Sequence, residues 1–429
     1  MAEDREKYKI RYAFAEDYGT SMYKFGPVRE APDVIENRGL IIEPSLIQRV
    51  FAKEAGGELK ERRIVVGEEV AMYLGSRDEM AKNLVYPMKD GIIDLRDEVG
   101  WRIVEEITRY GLRKFKPKRD QHFRGFYVAA SLSATAPKYM YEKIFEIHKK
   151  IDEEEGLVKA ITIIPQPLAV AIAEKSVTCM VVESGHGNTQ ICPISRYPIR
   201  EAIVSLNRGG AEANAITAEI LRDAGYGDLV PEEKLVRLVK EAIGLVPLDL
   251  DEAIKRAKED KERFRAVYRV PGTTMVIDLG DNSWTRFLIG EVIFNPGHEI
   301  FESYYKRGVP RPRDTVVGEE RIAGTIDLAE AIIKAAEKCP LELHEHLWRK
   351  VILSGGNFAW KVPKGLKDVA CDSATKVRRM LEEKGLKVNV ELVKDPQYSV
   401  WKGALTYALA VPEDYSWDWR MMEGWYKWR

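Results

Sequence analysis

A carboxylate stands directly before a glycine turn in the middle of the chain. Residues 177–194 predict a buried apolar strand, then Glu183, then a turn in which Gly185 and Gly187 flank His186, then a second strand. Glycine lets a ligand approach the backbone closely, and such a turn directs successive backbone N–H groups at an anion. A carboxylate at its edge suits a hydrated magnesium ion. The alternative is an ordinary glycine hairpin.

A second stretch near the N-terminus repeats the same order of residue types. An apolar run, residues 12–15, leads to Asp17, a turn over residues 19–21 and a second strand that carries Lys24, which can reach a phosphate. A third glycine turn, residues 354–357, also follows an apolar strand. Two similar hairpins in the two halves of the chain indicate a duplicated domain that holds a phosphate chain between its halves.

The bulk composition sets limits on the class of protein. The chain has 429 residues and a formal net charge of -1, so it is long enough for two to four domains and has no basic tract typical of nucleic-acid binding. Its cysteines are few and scattered, at positions 179, 192, 339 and 371, which favours reduced thiols in a cytoplasmic protein. We expect no signal peptide and no membrane span, because the N-terminus is charged and no long apolar run is present.

Strand and helix patterns alternate along the chain. Residues 126–132 and 158–164 predict strands, and residues 267–279 predict a hairpin. The predicted helices cover residues 97–115, 137–153, 210–224, 231–243, 249–264, 327–338 and 372–384. This alternation predicts an α/β fold with mixed sheets.

Five segments in this order resemble the actin superfamily. Asp17–Ser21 is similar to its first phosphate loop, Glu183–Gly187 to its second and Ser354–Gly356 to its adenosine turn, while Tyr86–Ile92 and Tyr398–Gly403 match actin-like segments elsewhere. The resemblance covers nearly the whole chain.

One further segment bears on the branch of the superfamily. The run Asn207–Asn214 is most similar to the archaeal branch, the crenactins.

The resemblance implies an actin-like, ribonuclease H-like α/β fold of duplicated domains, with two lobes around a nucleotide. Each lobe has a core and a smaller outer subdomain. The implied first core comprises residues 1–38, 83–165 and 370–429, and its outer subdomain residues 39–82. The implied second core comprises residues 166–207 and 288–369, and its outer subdomain residues 208–287.

The same resemblance implies the residues that bind ATP or ADP with Mg²⁺. Asp17 and Glu183 would orient the magnesium ion through its water ligands. The implied phosphate contacts come from Asp17, Gly19, Thr20, Ser21, Lys24, Ser184, Gly185, His186, Gly187 and Asn188. The implied base and ribose contacts come from Gly210, Glu212, Lys240, Glu241, Gly355, Gly356, Asn357 and Trp360.

Three side chains are implied in hydrolysis of the γ-phosphate. Gln166 matches the glutamine that orients the attacking water in actins, and Glu183 and Gln190 support it. Three positions depart from actins: Glu183 and His186 each replace an aspartate, and Gln190 replaces a histidine. His186 can titrate near neutral pH or can simply pack in the turn. We expect hydrolysis to persist. Base preference is open, because Gln397 stands where actins have a lysine near the adenine.

Several alternatives remain at these positions. Lys240 and Glu241 lie on a charged helix, which also fits a solvated surface. His344 and His346 lie two residues apart on a predicted helix, so they face different ways and do not predict a metal site.

The leading function is an ATP-hydrolysing cytoskeletal protein that polymerises with itself and has accessory cytoskeletal partners. The alternatives are a non-polymerising actin-related subunit of a complex and a kinase of the same fold, for which no catalytic aspartate can be placed. A chaperone ATPase is disfavoured, because no separate peptide-binding domain follows.

Three regions carry secondary predictions. By the resemblance, residues 43–63 contain the loop that touches the next subunit in actins; the alternative is a mobile surface loop. Residues 295–324 are predicted to form a longer loop than the matching loop in actins. This loop either bridges the strands of a filament or is a solvated insertion. Residues 415–429 carry four tryptophans, which either dock on their own subdomain or contact a partner.

Overall fold

The structure is a computed structural model that describes residues 2–42, 63–74, 82–317 and 319–428. The strands, in chain order, are β1 (Ala13–Tyr18), β2 (Met22–Pro27), β3 (Asp33–Glu36), β4 (Gly39–Ile42), β5 (Arg63–Val66), β6 (Leu84–Val85), β7 (Phe126–Leu132), β8 (Val158–Pro165), β9 (Thr178–Ser184), β10 (Thr189–Ser195), β11 (Tyr197–Pro198), β12 (Val204–Leu206), β13 (Val267–Arg269), β14 (Val276–Asp278), β15 (Thr315–Val317), β16 (Glu320–Ile322), β17 (Val351–Ser354) and β18 (Val390–Leu392).

The helices alternate with these strands. In chain order they are α1 (Ala2–Arg11), α2 (Glu68–Leu74), α3 (Glu98–Phe115), α4 (Lys138–Glu155), α5 (Gln166–Ala173), α6 (Gly210–Asp223), α7 (Glu233–Ile243), α8 (Leu250–Glu259), α9 (Lys261–Phe264), α10 (Arg286–Phe294), α11 (Phe301–Lys306), α12 (Leu328–Glu337), α13 (Leu341–Arg349), α14 (Ser373–Glu383) and α15 (Ser399–Ala410).

The chain divides into two compact units, Met1–Ala169 with Val400–Arg429, and Val170–Ser399. The first unit is built on a five-stranded sheet in the order β3-β2-β1-β7-β8, in which β1 pairs antiparallel with β2 and parallel with β7. Helix α3 presents an apolar stripe to this core and begins at Asp97, whose carboxylate accepts a hydrogen bond from Gly100 N. The small sheet β5-β4-β6 also belongs to this unit.

The second unit repeats the plan on a second sheet. Its strands follow the order β11-β10-β9-β17-β18, and β12 pairs with β10. Strand β9 is buried along nearly its whole length, as expected of a strand covered on both faces. Helices α6, α10 and α12 supply apolar side chains to the core beside it.

Two predicted elements differ from the structure. The helix predicted over residues 249–264 is two helices, α8 and α9, because Asp260 leaves the helical conformation and caps the second helix through Arg263 N. Residues 295–324, predicted as a loop without clear structure, contain α11 and the β15–β16 hairpin.

The tryptophan-rich C-terminus docks on the first unit, which confirms the first of its two readings. Trp425 is 1% exposed and its ring lies 5.2 Å from that of Tyr127. Tyr426 stacks on Phe145 and forms an antiparallel bridge with Ile161 of β8. The segment therefore covers part of an edge strand of the sheet.

Other sequence-based divisions have mixed outcomes. Residues 370–399 were expected in the first lobe, but β18 pairs with β17, so they belong to the second unit. The division of each unit into a core and an outer subdomain stays a prediction. Most of the loop at residues 43–63 lies outside the described residues. Within the described part of the chain, no helix has the length and apolar character needed to cross a lipid bilayer.

Candidate functional site

The first turn joins β1 to β2 and places opposite charges face to face. Asp17 lies directly across the ladder from Lys24, and Lys24 Nζ is 2.6 Å from Asp17 Oδ2. The turn closes where Gly19 N donates to Met22 O over 3.1 Å. Asp17 is only 1% exposed, so its carboxylate depends on this ammonium group for charge balance.

Gln166 approaches the same carboxylate from the start of α5. Its side-chain nitrogen donates to Asp17 Oδ1 over 2.9 Å and lies 3.4 Å from the Tyr18 carbonyl oxygen. The structure thus brings together a carboxylate, an ammonium group and an amide that are far apart in sequence. The amide lies next to the turn, where it can orient a water molecule.

Neighbouring segments hold the turn itself. Asn37 donates hydrogen bonds to two carbonyl groups of the turn. Its backbone N donates to Ser21 O and its side chain donates to Gly19 O, each over 2.8 Å. Gly91 N donates to the Thr20 hydroxyl over 3.0 Å. These bonds fix the path of the chain through residues 19–21.

The second turn joins β9 to β10 and has a different chemistry. Glu183 lies directly across from Gln190, whose side-chain nitrogen donates to Glu183 Oε2 over 3.2 Å. The turn closes where Gly185 N donates to Asn188 O over 3.0 Å. The acid of this turn therefore has a neutral amide opposite it, where the first turn has a lysine.

The N-terminus of α6 packs against the second turn. Gly210 N donates to Gly185 O over 3.0 Å, and the next amide of the helix donates to His186 O. A Cβ on Gly209 would overlap these carbonyl groups, so glycine is needed for the close approach. Glu212 reaches back to accept a hydrogen bond from Gly209 N over 2.6 Å, which caps the helix.

The third glycine turn packs on the other side of the second. Gly355 has a φ of 98°, and an added Cβ would overlap the Ser184 carbonyl oxygen. Asn357 donates to the Ser184 hydroxyl over 3.2 Å and to Gly185 O. The Ser184 hydroxyl also lies 2.7 Å from Thr189 Oγ1, so both Ser184 and Asn357 tie the turns together.

Buried basic groups stand near the second turn. Burial lowers the pKa of Lys240 on α7 to about 8, an effect that Arg237 adds to and Glu241 opposes. Burial, with smaller contributions from Lys240 and Arg237, lowers the pKa of His186 to about 4. This direction favours the second of the two alternatives for His186, a neutral ring that packs in the turn, over titration near neutral pH.

Two residues predicted to contact the base or the ribose, Glu241 and Trp360, differ in their exposure and in their neighbours. Glu241 is exposed and faces Arg237 at 4.0 Å, as a solvated helix residue does. Trp360 packs against Gly244 at the end of α7, and its buried indole N–H lacks a hydrogen-bond partner among the described residues.

The donor set fits a phosphate ligand with magnesium. Within the described residues, no cluster of three or more His, Cys, Asp or Glu side chains could hold a metal ion by itself. That Asp17 and Glu183 orient a magnesium ion through its water ligands stays a prediction. Sequence reasoning missed Ser131, which pairs with Asp17 in the sheet and whose buried hydroxyl lacks a partner within the described ranges. A serine in an apolar strand beside a carboxylate was the available signal.

Comparison with known proteins shows sequence similarity to actin and to actin-related proteins. A sequence model of the Actin family matches residues 226–411. The chain has the actin fold. Actin-related protein 3 of Schizosaccharomyces pombe is 25% identical over 420 residues, which cover 90% of this chain and 89% of that protein. Actin-related protein 3 of Drosophila melanogaster is 22% identical over 403 residues, 87% and 88% of the two chains.

These matches support a place in the actin superfamily. They do not support the narrower expectation of the archaeal crenactin branch, because the matched relatives carry another name. They also favour the alternative of an actin-related subunit over the expected filament-forming protein.

Proposed function

We propose that the chain binds one ATP with Mg²⁺ and hydrolyses it as an actin-related subunit of a multiprotein assembly. The observation that carries the nucleotide part is the pairing of Asp17 with Lys24 and Gln166 at a glycine turn within an actin fold. The repeated turn at Glu183 and Gln190 supports a second set of phosphate contacts.

The proposed roles follow from the charge that phosphoryl transfer develops. A γ-phosphate that leaves ADP spreads negative charge over its oxygens, so a site needs cations, N–H donors and an oriented water. Lys24 and the backbone of residues 19–21 would hold the β-phosphate, and residues 185–188 the γ-phosphate. Mg²⁺, when bound, neutralises phosphate charge, and Asp17 and Glu183 would hold its waters. Gln166 would orient the attacking water, and Gln190 would support it.

The proposed subunit role is supported by the names of the relatives. Both are actin-related proteins, and both match along most of their length. The homopolymer expected from the sequence is supported by the resemblance alone and is the second candidate. A cytoplasmic and cytoskeletal place is part of the same proposal.

Phosphate release and sedimentation test both parts of the proposal. With ATP and Mg²⁺, we expect phosphate release without an added acceptor and no pelleting of the purified chain alone. Replacement of Gln166 by alanine should lower the rate by about 10²-fold, within the range of positioned proton-transfer groups. Gln121→Ala, at an exposed glutamine of the same unit that has no assigned role, is the control.

Each outcome has a separate meaning. An unchanged rate in Gln166→Ala would remove Gln166 from the mechanism. Pelleting that requires ATP would favour the homopolymer. Phosphate transfer that requires a small-molecule acceptor would favour a kinase.

A further inference from the structure

The core of the first unit contains a charged pair that the proposed function does not use. Glu16 on β1 and His148 on α4 are both fully buried, and His148 Nε2 lies 2.9 Å from Glu16 Oε2. A buried charge without compensation is costly, so this pair needs an explanation. The charged residue within an otherwise apolar strand was the signal in the sequence.

Three hydroxyl groups surround the pair. Tyr23 OH donates to Glu16 Oε1 over 2.7 Å, and Tyr18 OH lies 2.9 Å from Glu16 Oε2. Tyr18 OH also lies 2.6 Å from Thr108 Oγ1 on α3. Burial raises the pKa of Tyr18 and of Tyr23, so both keep their protons and serve as donors. Glu16, Tyr18, Tyr23, Thr108 and His148 are called the core polar cluster below.

The hydrogen-bond partners of His148 fix the number of protons in the pair. Its Nδ1 lies 2.8 Å from the Ile144 carbonyl oxygen, which can only accept, so Nδ1 carries a hydrogen. Its Nε2 faces a carboxylate oxygen, and two lone pairs would repel at that distance. One proton therefore lies between Nε2 and Oε2, whichever group holds it, and the pair has no net charge.

The cluster lies directly behind the first turn. Side chains alternate along a strand, so Glu16 and Tyr18 point to the core face while Asp17 points to the other. Tyr18 pairs with Tyr23 as the last rung of the ladder before the turn at residues 19–21. The cluster thus joins both arms of the turn to α3 and α4.

We propose that the core polar cluster positions the first phosphate turn through its hydrogen bonds rather than through a net charge. Its members are positioning residues, because their side chains bond to one another and to α4, and the contact of Tyr18 with Gln166 is made by its backbone carbonyl oxygen. The inference rests on the proposed function only where nucleotide affinity is the readout.

Two substitutions at Glu16 separate hydrogen bonding from charge. In Glu16→Gln the amide nitrogen can donate to neutral His148, and the amide oxygen can accept from Tyr23, so the network stays complete without a shared proton. In Glu16→Ala three donors lose their acceptor. Hydrogen exchange of peptides that cover residues 13–27, measured without nucleotide, reports on the turn directly.

The expected results differ between the variants. Glu16→Gln should keep turn exchange and ATP affinity within about threefold of the wild type. Glu16→Ala and His148→Ala should accelerate exchange in the turn by about tenfold or more and weaken ATP binding by a similar factor. Ile151→Ala, at a fully buried apolar position on α4, is the matched control for lost stability. In this variant, hydrogen exchange in the turn should stay close to that of the wild type.

Three outcomes would overturn the inference. The first is an acceleration of turn exchange in Glu16→Gln as large as that in Glu16→Ala, because that result would assign the role to the charge of Glu16. The second is an equal acceleration of turn exchange in Ile151→Ala, because it would show that the cluster affects the turn only through the general stability of the core. Where Glu16→Ala fails to fold, Tyr23→Phe decides, since it removes one donor and keeps the ring, and unchanged turn exchange in it would contradict the inference. A protein that binds no ATP would refute the proposed function, while the exchange data would still judge the cluster.

Discussion

The two turns that the proposed function assigns to phosphate binding, at residues 19–21 and 185–188, share one order of residue types but are held in different ways. The first depends on side chains: Lys24 and Gln166 contact Asp17, and the core polar cluster lies behind it. The second combines neutral side-chain hydrogen bonds from Gln190 and Asn357 with close backbone contacts, since Gly185 N closes the turn and Gly210 N donates to it. A duplicated hairpin has thus acquired a fixed charge in one unit and close glycine packing in the other.

The difference implies different sensitivities to substitution. Backbone packing tolerates no added atoms, because a Cβ would displace a carbonyl group. Side-chain pairing tolerates small changes in shape but not the loss of one charge. The predictions below run from the largest expected effect to the smallest.

Gly355→Ala should damage the second unit most. The added Cβ would overlap the Ser184 carbonyl oxygen at a positive φ, so we expect a loss of about 4 kcal/mol in the free energy of unfolding. Urea unfolding measures it. Gly365→Ala, where nothing lies near an added Cβ, is the control. A loss no larger than in this control would contradict the packing account.

Lys240→Met should stabilise the protein at pH 7. The pKa of Lys240 falls from 10.5 to about 8 on folding, so the folded state bears a penalty of about 3 kcal/mol at neutral pH, which the substitution removes. Between pH 8 and 10.5 the unfolded state binds more protons, so wild-type stability should rise with pH relative to the variant. Urea unfolding of both proteins at pH 7 and pH 10 measures the difference. An equal difference at both values would contradict this pKa.

Lys24→Met should destabilise the first unit. It leaves the Asp17 carboxylate buried beside the neutral amide of Gln166, and the cost should be about 2 kcal/mol, because Lys24 is itself partly exposed. Thermal unfolding checks this. Lys150→Met, which removes an exposed pair with Glu105, should change stability by less than about 0.5 kcal/mol. Equal effects would show that the pair at the turn is not special.

Gly356→Ala should leave stability nearly unchanged, because among the described residues, its two chain neighbours aside, none has an atom within 4 Å of an added Cβ. If the nucleotide approaches this glycine, ATP affinity should fall by about tenfold, the usual cost of a poorly tolerated contact. Fluorescent nucleotide titration measures it. Full affinity in this variant would remove Gly356 from the site.

Sequence reasoning found the elements with clear periodic patterns and the turns with clear glycine spacing. The hairpin at Asp17 and the strand at Glu183 are present as predicted. It missed the partners of Glu16, because His148 and Thr108 lie far away in sequence and meet only when α3 and α4 pack on the sheet. It left two alternatives open at His186, because desolvation by neighbouring segments cannot be read from a local motif.

Calorimetric titration of ATP with Mg²⁺ tests the central claim most directly, when it is applied to the wild type and to one variant in each unit, Lys24→Met and Gly356→Ala. The account predicts one nucleotide per chain and weaker binding in both variants, because the proposed function assigns Lys24 to its phosphates and Gly356 to its adenosine. A stoichiometry of two, or full affinity in either variant, would contradict it.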